Sequence, residues 1–181
     1  MTLEFHPPEF NAVSAKFAVP VILEHLLPMP NTILDLGCNI GTWLREFKVC
    51  LPHATVHGVD GDNMREHLVI EPQEFTAGDL SEPIALSSNA DLVLCLETGE
   101  HLPIAAAPTL VANCIAHADR FIAFSAARPG QGGYKHINEQ PMSYWKLLFA
   151  SQGWFPIHAG RLPFPRMVFE YHARMVILKR D

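Results

Sequence analysis

Residues 33 to 44 read Ile-Leu-Asp-Leu-Gly-Cys-Asn-Ile-Gly-Thr-Trp-Leu, a run that predicts an apolar strand, a tight turn and then a helix. Gly37 and Gly41 permit a sharp turn and a close approach of the backbone to a ligand. A helix that begins near Thr42 would direct its free N–H groups toward that ligand. Asn39 lies between the glycines, and asparagine is the side-chain-bearing residue that best tolerates a left-handed backbone. The stretch therefore predicts a cradle for a nucleoside cofactor.

Acidic residues accompany this strand and the strand that follows it. Asp35 lies at the carboxyl end of the first strand, and Asp60 follows a second strand over 54–59. Asp60 comes roughly 20 residues after Gly37, the spacing at which a doubly wound sheet places a carboxylate that accepts hydrogen bonds from ribose hydroxyls. Both residues are therefore expected to lie near the cofactor.

The remaining periodic segments extend an alternation of strands and helices. Helices are predicted over 11–27, 42–50, 62–68, 104–117 and 141–151, and strands over 32–36, 54–59, 74–77, 90–96, 120–125, 154–159 and 168–178. Apolar strands separated by helices predict a parallel sheet that is covered on both faces. The first helix, interrupted by Pro20, is predicted to cap the edge of the sheet within an N-terminal region of residues 1–30.

Composition predicts one globular domain over residues 1–181. The hydrophobic content of 49% and the charged content of 18% exclude an intrinsically disordered protein. A chain of 181 residues is long enough for one substantial core and short for two ordinary domains. Cys38, Cys50, Cys95 and Cys114 form no close Cys-x-x-Cys pair and are interpreted as reduced, mostly buried thiols.

Charge and hydropathy narrow the range of partners. The net charge is −6 at pH 7 and no broad basic stripe is visible, which makes nucleic acid an unfavourable partner. No basic region followed by a long apolar run opens the sequence, and no run of about 18 uninterrupted apolar residues occurs. We therefore expect no membrane partner and a cytoplasmic location. The oligomeric state stays undetermined at this level.

The first motif resembles that of the class I S-adenosylmethionine (SAM)-dependent methyltransferases, in which an apolar strand and an acidic residue precede Gly-x-Gly-x-Gly. The resemblance implies a Rossmann-like α/β fold: a seven-stranded, mostly parallel sheet, helices on both faces and a C-terminal antiparallel hairpin. It also implies that SAM is the cofactor and that Asp79 lies beside its adenine amine. The residues expected to contact the cofactor are Asp35, Gly37, Cys38, Asn39, Gly41, Trp43, Asp60, Gly61, Gly78, Asp79, Leu80 and Glu97.

A dinucleotide-binding dehydrogenase is the competing interpretation, because it also uses a strand, a glycine turn, a helix and a later acidic residue. Its pattern Gly-x-Gly-x-x-Gly fails in this sequence. When its first glycine is aligned on Gly37, Asn39 and Thr42 stand where two further glycines are required. The turn therefore favours SAM over NAD.

A second motif, Glu97-Thr-Gly-Glu100-His101, follows the strand over 90–96, and His136 follows the next strand. Two carboxylates and two imidazoles suit Mg²⁺, Mn²⁺ or Zn²⁺. The run resembles metal-dependent methyltransferases, among them the small-RNA terminal ribose and ubiquinone-pathway O-methyltransferases. That resemblance implies that Glu97, Glu100, His101 and His136 are metal ligands. Three roles stay open for His136: a metal ligand, a metal-free general base or a structural residue.

Residues 126–140 contain a Pro-Gly-Gln-Gly-Gly loop and a His-Ile-Asn-Glu-Gln element. Both are similar to a group of bacterial methyltransferases that share them without defining one acceptor. We expect in-line methyl transfer to an oxygen of a small molecule such as a sugar, a phenolic or a natural-product intermediate, with Glu97, His101 and His136 as catalytic residues. Two alternatives remain, a metal-assisted RNA-end ribose O-methyltransferase and a SAM-binding module without transferase activity.

Overall fold

A computed structural model describes residues 8–158, 162–168 and 172–181 of the chain, with side chains from residue 11 onward. Seven strands form one sheet in the order β3-β2-β1-β4-β5-β7-β6. The strands are β1 Thr32–Leu36, β2 Thr55–Asp60, β3 Phe75–Ala77, β4 Ala90–Leu96, β5 Ala118–Ser125, β6 Trp154–Pro156 and β7 Val176–Arg180. The pairs among β1 to β5 are parallel, whereas β7 is antiparallel to both β5 and β6. The predicted fold class is confirmed, including its antiparallel C-terminal pair.

Helices cover both faces of this sheet. The α-helices are α1 Pro8–Glu24, α2 Thr42–Cys50, α3 Ala107–His117 and α4 Met142–Ala150. Single turns of 3-10 helix lie at Pro72–Glu74, Gly99–His101, Ile104–Ala106 and His172–Arg174, and a longer one spans Asp62–His67. Helix α1 packs along α2, and the two share one hydrophobic cluster.

Strand β4 shows how the sequence builds a core on each side of the sheet. Successive side chains of a strand point to opposite faces. Leu92 and Leu94 therefore join the cluster beneath α1 and α2, while Val93 and Cys95 join the cluster beneath α3 and α4. Because both faces are buried, β4 is apolar at nearly every position, as the sequence predicts for a parallel sheet.

The prediction of a strand over 168–178 is wrong over much of its length. Val168 ends a turn and His172–Arg174 is a 3-10 helix, so among the described residues of this segment only those from Val176 onward form a strand. Strand β7 is short because β5 provides hydrogen-bonding partners only for Val176 to Lys179. The predicted strand over 154–159 is likewise shorter, because pairing with β7 ends at Pro156. Residues 159–161 and 169–171 lie outside the described residues.

Two further expectations can be set against the described residues. All four cysteines are free, and Cys50 is the one that is only partly buried. No helix in the described ranges is both long enough and apolar enough to cross a bilayer. The cytoplasmic location stays a prediction.

Candidate active site

The turn between β1 and α2 has the strained backbone that its sequence predicts. Gly37, Asn39 and Gly41 adopt positive φ values of 87°, 52° and 87°. The turn is held against the end of β2, because the N–H groups of Gly37 and Cys38 donate to the Val59 carbonyl at 2.8 and 3.2 Å. These N–H groups are used within the fold, so the turn positions a ligand by its shape more than by free donors.

Gly37 also makes a close approach to the end of β4. A Cβ atom at this position would overlap the side chain of Thr98, which is itself buried and donates from Oγ1 to the Leu96 carbonyl at 3.2 Å. Only glycine therefore allows the β1–α2 turn and the β4 terminus to lie against each other. Thr98 lies within the second motif, but no signal in the sequence identifies its contact with Gly37.

A cavity of about 850 Å³ opens at the carboxyl ends of the parallel strands. This is the edge at which open α/β sheets bind their ligands. The cavity brings together most of the predicted cofactor contacts, namely Gly37, Cys38, Asn39, Trp43, Asp60, Gly61, Gly78, Asp79, Leu80 and Glu97. It also includes Glu100, His101 and His136 of the second motif. The structure therefore joins the two motifs in one site.

Two predicted contacts lie behind the cavity wall. Asp35 is 2% exposed, and Gly41 caps the N-terminus of α2 with its Cα close to the Ile70 side chain. Their positions suit a role in shaping the turn. Conversely, the cavity is also lined by residues that no motif indicates, including Asn11 from α1 and His172, whose ring packs edge-on against Trp43 with 5.1 Å between the ring centres.

Asp60, the predicted acceptor for ribose hydroxyls, lines the cavity at the end of β2. Its Oδ2 accepts from the Asn39 N–H and its Oδ1 from the Gly61 N–H, each at 2.7 Å. A carboxylate has about four lone-pair sites, so both oxygens can accept further hydrogen bonds. Burial raises the pKa of Asp60, and the two backbone N–H donors oppose that rise. Asp79, in contrast, is exposed, and hydrogen bonds from Ser81 lower its pKa.

Asp35 is a buried carboxyl group beside Asp60. Burial, reinforced by the charge of Asp60, raises the pKa of Asp35 to about 8. Burial together with the charges of Asp35 and Asp60 also raises the pKa of the Cys38 thiol well above its usual range. The Asp35 carboxyl group is therefore mostly protonated in the folded protein at neutral pH. The Cys38 side chain stays a thiol and is no thiolate nucleophile.

Glu97 and Glu100 form a second buried carboxyl pair at the end of β4. Glu97 has a positive φ of 52°, and its N–H donates to the Ser125 carbonyl at 3.0 Å. Glu100 is fully buried, and its carboxyl group interacts with that of Glu97 and with the backbone N–H groups of Glu100 and Ala127. Burial and the charge of Glu97 raise the pKa of Glu100 to about 8, and burial also raises the pKa of Glu97. A buried carboxyl pair of this kind disfavours two full negative charges.

His101 and His136 complete this corner of the cavity. Their ring centres are 5.0 Å apart, and one potential ligand atom from each of Glu100, His101 and His136 lies within 4.8 Å of the others. Glu97, also a predicted metal ligand, is not part of this close group within the described residues.

The backbone of Glu100 fixes the segment that carries His136. The Glu100 carbonyl accepts from the N–H groups of Ile137 and Asn138 at 2.9 and 3.1 Å. Asn138 is 3% exposed and donates from Nδ2 to the Gly99 carbonyl at 3.2 Å. The His-Ile-Asn-Glu-Gln element is thus a clamp between the loop after β5 and the end of β4. Sequence reasoning identified the element and missed the role of Asn138.

Comparison with known proteins agrees with this geometry. The sequence model of a family described as a methyltransferase domain matches residues 14–124. No curated protein matches the sequence at a significant level. Among solved structures, CalS10 from Micromonospora echinaspora, an amino pentose methyltransferase with bound SAM, superposes with a TM-score of 0.71 at 16% identity, covering 100% of this chain and 99% of its own.

Two further solved structures share the fold. Magnesium protoporphyrin IX methyltransferase from Synechocystis PCC 6803, with bound S-adenosylhomocysteine (SAH), gives a TM-score of 0.64 at 18% identity, covering 96% of this chain and 84% of its own. Human N-acetylserotonin methyltransferase in complex with SAM gives 0.59 at 16% identity, and the match covers 96% of this chain and 51% of that protein.

Replacement of Gly37 by alanine is expected to lower the free energy of unfolding by about 2–5 kcal/mol. The left-handed backbone accounts for about 1–2 kcal/mol and the overlap with Thr98 for the rest. Gly153→Ala is the matched control, because Gly153 has a φ of 80° and open space around its Cα. Urea unfolding measures both variants, and equal losses would exclude the proposed overlap.

The stability of the protein should depend on the protonation of Asp35. The carboxyl pKa is about 4 in an unfolded chain and about 8 in the folded protein. Below the lower value both states hold the proton. Between the two values only the folded state holds it, so the free energy of unfolding falls by about 1.4 kcal/mol per pH unit as pH rises.

Asp35→Asn should therefore flatten this part of the pH profile, because asparagine keeps the neutral shape without the titration. Urea unfolding at about pH 5 and about pH 7 gives the slope for each protein. Asp62→Asn, on the surface, serves as the control and should retain the wild-type slope. An unchanged slope in Asp35→Asn would show that another group causes the dependence.

Proposed function

The chain belongs to the methyltransferase-domain family, and from that membership we propose that it is a SAM-dependent enzyme that methylates an oxygen of a small molecule. The observation that carries the proposal is the shared cavity. Its lining includes both the glycine turn with Asp60 and the corner formed by Glu100, His101 and His136. A cofactor and a methyl acceptor can therefore meet within one enclosure of about 850 Å³.

The chemistry of the glycine turn and Asp60 suits an adenosyl cofactor. Asp60 offers acceptor sites for two ribose hydroxyls, and Gly37 and Asn39 keep the floor of the cavity close to the backbone. Trp43 and Leu80 add apolar surface for an adenine ring. SAM or SAH occupies the solved neighbours whose descriptions name it. These features support SAM binding, with Asp60 as the residue that fixes the ribose.

SAM supplies a methyl group on a sulfonium, which is displaced in line by the acceptor. The residues of the chain need to orient the acceptor oxygen and remove its proton. His136 suits the second task, because its Nδ1 is hydrogen-bonded to Glu139 at 3.1 Å and its Nε2 is left to accept a proton in the neutral ring. Glu97 and His101 line the same corner and suit the orientation of the acceptor hydroxyl.

We also propose that Glu100, His101 and His136 hold a divalent cation beside the acceptor. Their potential ligand atoms lie within 4.8 Å of one another, which supports this. The buried carboxyl pair of Glu97 and Glu100 adds support, since such a pair is costly until a proton or a cation compensates it. Mixed oxygen and imidazole donors fit Mg²⁺, Mn²⁺ or Zn²⁺. Such an ion would polarise the acceptor hydroxyl and favour its deprotonation.

The cofactor proposal predicts that SAH binds the purified protein and that Asp60→Ala weakens binding by about 10- to 100-fold. The loss follows from removing a charged acceptor of two hydrogen bonds. Isothermal titration calorimetry measures the affinity directly. Asp62→Ala removes a neighbouring carboxylate that lies on the surface, and it should bind SAH as the wild type does.

NAD⁺ provides the ligand control for the same titration. Stronger binding of NAD⁺ than of SAH would contradict the proposal and restore the dehydrogenase interpretation. Binding of SAH without turnover of any hydroxylated acceptor would instead identify a binding module. Release of SAH from SAM in the presence of sugars, phenolics or other hydroxyl compounds separates these two outcomes.

The cation proposal predicts that Mn²⁺ binds wild-type protein and that Glu100→Gln or His136→Gln weakens binding at least about tenfold. Electron paramagnetic resonance of free Mn²⁺ gives the affinities. Glu82→Gln, an exposed carboxylate distant in sequence from the cluster, is the matched control. If Glu100→Gln and Glu82→Gln bind Mn²⁺ equally, the cluster is no cation site and His136 retains its role as a base.

A further inference from the structure

Glu139 lies beside the cavity in hydrogen-bond contact with His136, and its carboxylate accepts three hydrogen bonds. Oε2 accepts from the Gly130 N–H at 2.7 Å. Oε1 accepts from the Gly132 N–H at 2.7 Å and from Nδ1 of His136 at 3.1 Å. Because a backbone N–H group can only donate, both carboxylate oxygens of Glu139 act as acceptors in this arrangement.

The first consequence concerns the His136 ring. An ionised carboxylate can only accept, so the hydrogen between His136 and Glu139 belongs to Nδ1. In the neutral ring this assigns the lone pair to Nε2, the nitrogen that a hydroxyl or a cation would meet. Without Glu139, the ring could rotate or exchange its tautomer. Both changes would remove the basic nitrogen from its place.

The second consequence concerns the loop after β5. Gly130 and Gly132 have φ values of 79° and 68°, so the loop has a conformation that L-residues rarely adopt. The same loop reaches the other carboxyl pair, because Gln131 donates from Nε2 to Oε2 of Glu97 at 3.4 Å. Glu139 thus lies at one end of a bonded path that runs through the loop to Glu97.

We propose that Glu139 is the positioning residue of the site, which selects the Nδ1–H form of His136 and holds residues 130–132 beside it. Loop and imidazole are then set by one carboxylate and respond together when it is changed. The proposal rests on the proposed function for the use made of Nε2, whether as a base or as a ligand. Its geometric content, the tautomer and the loop, can be measured without any acceptor or cofactor.

Glu139→Gln is the most informative variant. The N–H groups of Gly130, Gly132 and the His136 ring share two acceptor oxygens in wild type, whereas glutamine offers one. The amide N–H of Gly130, Gly132 or both must lose its partner. Amide hydrogen exchange at residues 130–132 should accelerate about tenfold or more relative to wild type. Exchange in β4 should be unchanged, since Asn138 still anchors the segment to Gly99.

Long-range ¹H–¹⁵N spectra of the histidine rings test the tautomer, with His136→Gln used to assign the signal. At a pH where the ring is neutral, wild-type His136 should show a protonated Nδ1 and an unprotonated Nε2. Glu139→Gln should shift the population toward the Nε2–H form. Glu24→Gln, an exposed carboxylate in α1, should match wild type in both measurements.

Unchanged exchange and an unchanged tautomer in Glu139→Gln would overturn the proposal. A changed tautomer with unchanged loop exchange would also overturn it, because loop and ring would then be independent. SAH titration into Glu139→Gln keeps the two proposals apart, since Asp60 and the glycine turn are untouched. If SAH does not bind the wild-type protein, the proposed function is refuted. The histidine ¹H–¹⁵N spectra would still decide the role of Glu139.

Discussion

The hydrogen bonds between the β1–α2 turn and the end of β2 are the constraint on which the rest of the site depends. Two N–H groups of the turn share the Val59 carbonyl, and a third, from Asn39, is taken by Asp60. This arrangement forces positive φ values at Gly37 and Asn39 and brings Gly37 against Thr98 of the neighbouring strand end. Asp60 therefore serves twice: it holds the turn in place and keeps lone pairs for a ligand. The ligand and the turn share one carboxylate, so the shape of the cavity floor cannot change without changing what Asp60 can bind.

Buried carboxyl groups give the cavity its electrostatic character. Asp60, Glu97 and Glu100 line the cavity, and Asp35 is buried beside Asp60. Burial raises the pKa of each of them, because a charge is costly where water is excluded. A positively charged guest reverses that cost, because it lets the carboxylates ionise. A sulfonium and a divalent cation share this property, and the acidic walls favour both over a phosphate-bearing ligand.

Features that depend on neighbouring residues in the sequence could be predicted, whereas features that depend on contacts between distant segments could not. The run of residues 33 to 44 predicts its strand, turn and helix correctly, because periodicity and backbone strain are local properties of the chain. The predicted bounds of the last strand are wrong, since an apolar run does not reveal how many of its residues β5 can pair with. Thr98 and Asn138 were missed for a related reason. Their roles are contacts with Gly37 and with the backbone of Gly99, and such contacts exist only once distant segments meet.

The same difference separates the two sides of the cavity. The proposed cofactor side is set by glycine packing and by strand ends that the core holds rigid, so few sequences satisfy it and a short motif reveals it. The proposed acceptor side is set by side-chain hydrogen bonds on an exposed loop, which link Glu97 through Gln131 to Glu139 and His136. Residues that form such hydrogen bonds can be substituted without disturbing the hydrophobic core. The loop can therefore come to bind a different acceptor while the fold persists. The acceptor is therefore the property that the fold determines least, and its identity depends on the residues around this path.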